Sequence, residues 1–178
     1  SVMFDFRSND INNSGQGAPL APIYHKQIIE EIKLDSPSCF INIGGIANIT
    51  YWDGINLIGF DSGPGNCLID SYVRKKFNLE FDFNGQKASM GNPNQKILNL
   101  LLTDKYFSLS PPKSLDRVYF NKYLLDYFDD LSPHDALSTL CHFTILSIID
   151  CFKYLPSRPK NIIISGGGLK NTYLMNIF

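Results

Sequence analysis

The sequence carries no marked excess of charge: 16 lysines and arginines stand against 17 aspartates and glutamates, a net charge of -1. Nothing therefore attracts the chain strongly to nucleic acid or to an anionic membrane. No apolar run approaches the ~20 residues that a membrane-spanning helix needs. No cationic stretch followed by an apolar core opens the chain, so no secretory signal is visible. We therefore expect no nucleic-acid or membrane partners.

Patterns of metal ligands are also missing. The cysteines form no C-x-x-C pair, and the three histidines, His25, His134 and His142, are scattered. Each cysteine lies among apolar neighbours, which is typical of buried, reduced thiols rather than of metal ligands. We therefore expect no zinc site, and four buried, reduced thiols at Cys39, Cys67, Cys141 and Cys151. Reduced thiols fit a cytoplasmic protein.

Two familiar nucleotide-binding signatures are absent, the P-loop G-x-x-x-x-G-K-[ST] and the dinucleotide fingerprint G-x-G-x-x-G. Glycines instead cluster in three turns, "NIGGIAN" (42–48), "DSGPGN" (61–66) and "SGGGLKN" (165–171). Glycine lets a backbone approach a ligand closely, and the N–H groups of such turns bind anions. Each turn taken singly is also compatible with an ordinary tight turn. Three turns at strand ends of one sheet would form one ligand surface.

Three strands are predicted at "SCFINIGG", "IANITYW" and "INLIGFD", within residues 38–61. The short turns between them favour an antiparallel meander. Apolar residues at helical spacing predict a helix over residues 67–77, with Asn66 as a candidate cap. Residues 78–114 are polar and are interpreted as a partly irregular elaboration with one short helix at "NQKILNLLL". Another helix is predicted at "FNKYLLDYF".

The clearest helix is predicted to begin after Ser132, with Pro133 at its first position and Asp135 three residues after the cap. Its apolar stretch runs to Leu155, before two prolines. A buried strand follows at 162–164, and the long helix would return the chain so that this strand lies parallel to a meander strand. The sequence thus predicts an α/β fold with a mixed sheet.

This order of elements resembles one half of the actin, sugar kinase and Hsp70 superfamily. Four blocks resemble the anhydro-N-acetylmuramic acid kinases over essentially the whole chain: "DFRSNDINNSGQGAPLAPIYH", "NIGGIANIT", "GFDSGPGNCLID" and "ISGGGLKN". The resemblance implies an actin-like ATPase (ribonuclease H-like) domain. Its division would be an N-terminal segment, residues 1–37, with a sugar-side GQGAP loop, and an ATPase lobe, residues 38–178, with an insertion at about 78–131.

The resemblance also implies the reaction. ATP, with Mg²⁺ whose ligands the sequence does not assign, would phosphorylate O6 of anhydro-N-acetylmuramic acid while water opens the 1,6-anhydro bridge. The product would be N-acetylmuramic acid 6-phosphate, an intermediate of peptidoglycan recycling. The partners would be the sugar, ATP and a second copy of the protein in a homodimer.

Asp61 is the general base by this resemblance, since a carboxylate can accept the proton of the attacking water. The alternative is that Asp61 is a structural charge at the positive end of the following helix, which would keep the carboxylate ionised. Substrate-binding roles are implied for Arg7, Gln16, Asn48 and Asn66, although each also fits a surface charge, a plain loop or a cap. Nucleotide-binding roles are implied for Gly44, Gly45, Gly63, Gly65, Gly166, Gly167, Gly168 and Asn171.

The match has departures. In "PPKSLDRVYF" the family's Lys113, Ser114, Arg117 and Phe120 persist, whereas Leu115, Asp116 and Val118 differ. A glycine- and serine-rich phosphate motif upstream and an acidic segment downstream are not found, so both ends appear truncated relative to the family. Two alternatives to a kinase therefore stay open. They are an inactive remnant or excised domain, and a sugar-binding or regulatory module on the same fold.

Overall fold

The computed structural model describes the backbone of residues 4–178 and the side chains of all of these except 124–126. Its sheet has four strands, β1 (Ser38–Ile43), β2 (Ile46–Trp52), β3 (Leu57–Pro64) and β4 (Asn161–Ser165), in the order β3-β2-β1-β4. Strands β1, β2 and β3 pair antiparallel, and β4 pairs parallel with β1. The predicted meander with a crossover to a parallel strand is confirmed.

The helices of the described residues are α1 (Phe6–Asn12), α2 (Pro22–Glu31), α3 (Asn66–Phe77), α4 (Gln95–Leu102), α5 (Asn121–Asp126), α6 (Pro133–Asp150) and α7 (Thr172–Ile177). The predicted start of α6 is confirmed, because the Ser132 hydroxyl oxygen accepts a 3.1 Å hydrogen bond from the Asp135 N–H. The helix ends at Asp150, earlier than predicted. A tighter 3₁₀ turn, Cys151–Tyr154, continues the chain towards the prolines.

Helix α6 corrects one expectation from the sequence. Together with its 3₁₀ turn it forms a helical stretch of 22 residues, Pro133–Tyr154, that is long and apolar enough to cross a membrane. However, 67% of its most apolar window is buried inside the protein. A helix that is apolar on nearly all sides and surrounded by its own protein is a core helix.

Helices cover both faces of the sheet. Helices α3 and α6 pack on one face around Ile41, Ile43 and Ile49. Helix α2 packs on the other face, where Ile29 contacts the cluster of Phe40 and Trp52. The segment predicted as 1–37 is therefore attached to the sheet through α2.

Two strands differ from the prediction. β3 continues past Asp61 to Pro64, so Asp61 lies inside the strand rather than at its end. A proline is tolerated there because β3 is the outermost strand on that side of the described sheet. β4 is not buried as predicted: it is the outermost strand on the other side, and Ile162 is 41% exposed.

The segment 78–131 is partly irregular, as predicted for its residues 78–114. It contains 3₁₀ turns at Phe83–Gly85, Ala88–Met90 and Lys105–Ser108, and the two short helices α4 and α5. Its second half is anchored by packed aromatic rings. Phe107 stacks on Phe120, with ring centroids 5.6 Å apart, and both rings contact Phe143 of α6. This packing places residues 113–115 beside strand β3, where the candidate site lies.

Candidate functional site

The first two glycine turns are joined by backbone hydrogen bonds. The N–H of Gly65 donates to the Gly45 carbonyl at 3.0 Å, and the N–H of Asn66 donates to the Gly44 carbonyl at 2.8 Å. A Cβ at Gly65 would lie 2.3 Å from the Gly44 oxygen, so only glycine fits this crossing. Gly65, not Asn66, is the N-cap of α3. The Asn66 side chain instead donates to the Ile43 carbonyl at 3.3 Å.

The third turn packs on the end of β1. Gly166 has a φ of 89°, and a Cβ there would lie 2.6 Å from the Ile43 oxygen. A Cβ at Gly168 would meet the Ile43 side chain at 2.5 Å. Gly167 differs, because the nearest atom to its Cβ would be the Asn66 side-chain nitrogen at 3.7 Å. The structure therefore brings the three turns together and leaves room for a Cβ at Gly167, which would make only an ordinary van der Waals contact.

The sequence suggested that N–H groups of the glycine turns bind an anion, but the first amides of α3 are not available for this. The Asn66 and Cys67 N–H groups are used by the carbonyls of Gly44 and Gly45, at 2.8 and 3.1 Å. A positive charge is supplied nearby by Arg117, whose Nε lies 3.8 Å from the position of a Cβ on Gly45. The sequence preserved Arg117 within a family block but gave no role for it.

A cavity of about 460 Å³ opens beside the turns. Ligand pockets of small molecules commonly have about 300–1,000 Å³. The apolar part of its lining includes Phe81 and Phe83, and its polar part includes Asp70, where burial raises the pKa of the carboxyl group. The full lining is Asn66, Ile69, Asp70, Phe81, Asp82, Phe83, Asn84, Gly167, Lys170 and Asn171.

Two of the predicted nucleotide residues have structural roles of their own. The Asn171 carboxamide oxygen caps α7 by accepting from the Leu174 N–H at 3.0 Å, while the residue also lines the cavity. Gly63 faces α6, where a Cβ would lie 2.5 Å from the Ser147 hydroxyl. Packing alone thus explains the glycine at 63, and its nucleotide contact stays a prediction.

Asp61 is only 6% exposed and is held at three points. Its Oδ2 accepts a 2.8 Å hydrogen bond from the Leu115 N–H. Its own N–H donates to the Lys113 carbonyl at 3.0 Å, and its carbonyl accepts from the Tyr106 hydroxyl at 2.6 Å. Opposite Asp61 in the sheet lies Asn48, at an irregularity in the register of β2 and β3. Such irregularities re-aim side chains and are frequent beside active sites.

Burial raises the pKa of Asp61 to about 6, against the opposing effects of the Leu115 N–H and the Arg7 guanidinium. The carboxylate is therefore mostly ionised at pH 7 yet basic enough to take a proton, which suits a general base. The sequence suggested that the helix N-terminus would favour ionisation. The groups that the structure identifies for this are Leu115 and Arg7.

The structure places the other predicted substrate residues as follows. Arg7 is exposed on α1, close enough for its charge to act on Asp61. The Asn48 side-chain oxygen is buried without a hydrogen-bond partner among the described residues. Gln16 is exposed on a loop that Asp10 fixes by accepting from the Gly17 N–H at 2.7 Å. Arg7 and Asn48 therefore lie around Asp61, while Gln16 stays a prediction.

The predicted burial of the four cysteines is confirmed, and none of them is in a disulfide. Among the residues whose side chains the structure describes, no group of three or more His, Cys, Asp or Glu is arranged to hold a metal ion. Mg²⁺ bound with a nucleotide is held largely by phosphates and water with one or two carboxylates, so it does not require such a group.

Comparison with known proteins gives a consistent result. The family model described as anhydro-N-acetylmuramic acid kinase matches residues 1–178. Curated proteins named "Anhydro-N-acetylmuramic acid kinase" are similar over nearly the whole chain. That of Nitrobacter winogradskyi is 39% identical over 99% of this chain, that of Hydrogenovibrio crunogenus 40% over 99%, and that of Pelagibacter ubique 41% over 98%.

The alignments cover 48% of each of these three relatives, so the chain spans about half the length of the curated relatives it matches. The mixed sheet with helices on both faces agrees with the actin-like ATPase fold expected for such kinases. The chain belongs to the anhydro-N-acetylmuramic acid kinase family.

Proposed function

We propose that the protein carrying this chain is an ATP-dependent kinase that acts on anhydro-N-acetylmuramic acid. The observation that carries the proposal is Asp61, a buried carboxylate with a pKa of about 6 on the strand that leads into the glycine turns. An ordinary structural aspartate gains stability from being ionised, whereas burial disfavours the ionised form of this one. A carboxylate that is buried although burial disfavours its ionised form, and whose pKa lies near neutral pH, is typical of an active site.

The chemistry assigns a proton to Asp61. A water molecule attacks the anomeric carbon, the bond from that carbon to the bridge oxygen breaks, and the bridge oxygen, O6, takes the γ-phosphoryl group of ATP. ADP leaves, and the carboxylate of Asp61 accepts the proton that the water loses. The hydrogen bond from Leu115 holds Oδ2, which leaves Oδ1 as the acceptor.

The sugar would lie on the Asp61 side of the turns. Arg7 is a guanidinium close to Asp61, and a guanidinium binds a carboxylate such as that of the sugar's lactyl group. The buried oxygen of Asn48 can accept a hydrogen bond from a sugar N–H or hydroxyl group. Gln16 is proposed to complete this side. Asn66, which lines the neighbouring cavity, is proposed to contact the sugar from the boundary between the two sides.

The nucleotide would lie on the other side, in the cavity lined by Gly167 and Asn171. Exposed Phe81 and Phe83 offer apolar surface for a purine. The Gly44–Gly45 turn, with Arg117 beside it, would face the phosphates. Mg²⁺ bound with ATP would neutralise charge that develops on the transferred phosphoryl group. We further propose a cytoplasmic location, for which the four buried thiols are the supporting observation.

The observation that favours a second candidate, a binding domain without activity, is that the described residues form one four-stranded sheet with its helices, a single lobe. A kinase of this kind closes two lobes on its substrates, and the second lobe would have to come from elsewhere in the protein.

The test compares the natural, genomically encoded protein with the isolated 178-residue chain. Both receive ATP, Mg²⁺ and the anhydro sugar, and the 6-phosphate is detected by ³¹P NMR and mass spectrometry. We expect product from the natural protein, and none when N-acetylmuramic acid without the anhydro bridge replaces the substrate. If the natural protein binds both ligands and forms no product, the binding domain is the better description.

A further inference from the structure

Lys113 is a buried lysine for which the proposed reaction gives no role. It is 3% exposed, and its Nζ lies 4.7 Å from the ring centroid of Tyr106, 4.8 Å from that of Tyr154 and 6.0 Å from that of Phe60. The one hydrogen bond of the Lys113 ammonium among the described residues goes to the Tyr106 carbonyl at 3.3 Å. Burying an ammonium group without a carboxylate partner is costly, although aromatic faces recover part of that cost.

The backbone of Lys113 is connected directly to Asp61. The Lys113 carbonyl accepts the Asp61 N–H at 3.0 Å, and two residues later the Leu115 N–H donates to Asp61 Oδ2 at 2.8 Å. We call residues 113–115 the strap. Strap and strand β3 thus share two hydrogen bonds, one to the backbone of Asp61 and one to its carboxylate.

Tyr106 contacts both ends of this arrangement. Its ring forms one wall around the Lys113 ammonium, its carbonyl accepts from that ammonium, and its hydroxyl donates to the Asp61 carbonyl at 2.6 Å. Tyr106 is itself fixed, because its N–H donates to the Asp104 carboxylate at 2.8 Å. The strap is therefore held by a buried cation at the point where it meets the candidate base.

We propose that Lys113 is a positioning residue: its ammonium, enclosed by Tyr106, Tyr154 and Phe60, fixes the strap so that the Leu115 N–H orients the carboxylate of Asp61. The importance of this positioning for catalysis rests on the proposed function, in which Asp61 is the base. The connection from Lys113 to Asp61 is a property of the fold and can be tested without any substrate.

Lys113 could affect Asp61 by holding the strap in position or directly through its charge, and the titratable groups around each residue distinguish these two effects. The titratable groups that act on the Lys113 ammonium lie at the end of α6 and in the 3₁₀ turn after it. They are Cys151, Lys153 and Asp150. Those that face Asp61 are Arg7 and Tyr106. A change at Lys113 is therefore expected to reach Asp61 mainly through the strap.

The test is Lys113→Met in the natural protein, since methionine fills a similar unbranched volume and replacing a buried ion by an apolar group is often neutral for stability. The Asp61 carboxyl is titrated by ¹³C NMR and assigned by its loss in Asp61→Asn. The wild type should titrate near pH 6. A loosened strap weakens the Leu115 hydrogen bond to the charged form, so the variant should titrate about half a unit higher or more. Its kcat at pH 7 should fall about fivefold or more.

Lys105→Met is the matched control, because Lys105 is an exposed lysine of the same segment; its titration and kcat should equal those of the wild type. Tyr154→Leu removes one half-buried wall of the enclosure without touching Asp61 and should shift the titration in the same direction, by less. This second variant decides the matter if Lys113→Met does not fold.

An unchanged Asp61 titration in folded Lys113→Met, or in Tyr154→Leu if the first variant does not fold, overturns the proposal. If the Asp61 titration shifts in Lys113→Met but the wild type itself shows no kinase activity, the positioning role is supported and the proposed function is refuted.

Discussion

The Leu115 N–H donates a 2.8 Å hydrogen bond to Oδ2 of Asp61, across 54 positions of sequence. The carboxylate is thus oriented by residue 115, one of the positions at which the chain departs from the family block. Because the bond favours the charged form, it opposes the burial that raises the pKa of Asp61 to about 6. The balance leaves a carboxylate that is ionised at pH 7 and still a useful base.

Gly167 provides a test of the nucleotide side. A Cβ at this position would make one ordinary van der Waals contact, with the Asn66 side-chain nitrogen at 3.7 Å, so packing does not require glycine there. Gly167→Val should fold normally and bind ATP or ADP roughly tenfold more weakly or worse, a loss of about 1.4 kcal/mol or more, because the new side chain occupies the ligand's space. Isothermal titration calorimetry measures the loss.

Two variants of the same turn serve as controls. Leu169→Ala changes a residue that is 52% exposed and does not line the cavity, so nucleotide affinity should be unchanged. Gly168→Ala should instead lower the melting temperature, since its Cβ would lie 2.5 Å from Ile43. Wild-type affinity in folded Gly167→Val would remove this glycine from the nucleotide site.

The fold was largely predictable because its signals are local. The three strands of the meander, the capped start of α6 at Ser132 and the crossover to β4 all follow from short patterns of apolar residues, glycine and proline. The errors have physical causes that need the assembled sheet. Only the pairing of Pro64 with Ile46 shows that β3 continues past Asp61. Likewise, only the strand order shows that β4 is outermost.

The candidate site was predictable in part. Asp61 and the glycine turns stand in recognisable blocks, but the partners of Asp61 come from distant segments. Leu115 acts through its backbone N–H, which any residue except proline supplies, so its side chain carries no signal. Lys113 and Arg117 were visible as retained residues of a family block. Their roles depend on tertiary packing that no spacing encodes.

Arg7 should affect both the sugar and the base. Arg7→Met removes a guanidinium whose charge lowers the pKa of Asp61. We expect kcat/KM for the sugar to fall about 10–100-fold, the range for a lost charge-assisted hydrogen bond, and the acidic limb of the pH profile to move to higher pH. Arg7 is exposed, so the melting temperature should not change. Arg158→Met, another exposed arginine, is the control, and equal pH profiles for all three proteins would contradict the assignment.

The cysteines should be unreactive in the folded protein. All four are buried, and burial raises the pKa of Cys39 to about 12 and that of Cys151 to about 11. The thiolate is the reactive species, so alkylation by iodoacetamide at pH 8 should be slow until the protein is denatured. Peptide mapping by mass spectrometry follows each site. Rapid labelling of Cys39 in the folded protein would show that this strand is accessible.

Asp61 should lower stability at neutral pH. Its folded pKa of about 6 exceeds the ordinary value of 3.8, so the folded state holds a proton that the unfolded state has lost between these values. The free energy of unfolding therefore decreases as pH rises from about 4 to 6, by on the order of 1–3 kcal/mol. Asp61→Asn should be more stable than the wild type at pH 7–8 and equal to it near pH 3. Denaturant unfolding at both pH values measures this difference.

The same variant tests catalysis. Asparagine keeps the size of the side chain, and its oxygen can still accept from the Leu115 N–H, but it is not basic. Turnover should therefore fall on the order of 10²–10⁴-fold, the usual contribution of a positioned base. Binding of ATP and of the sugar should change much less. Asp130→Asn, at an exposed position, should keep wild-type turnover. If Asp61→Asn is more stable than the wild type but turns over at the wild-type rate, Asp61 is not the base. The gain in stability would then reflect only the removal of a buried charge.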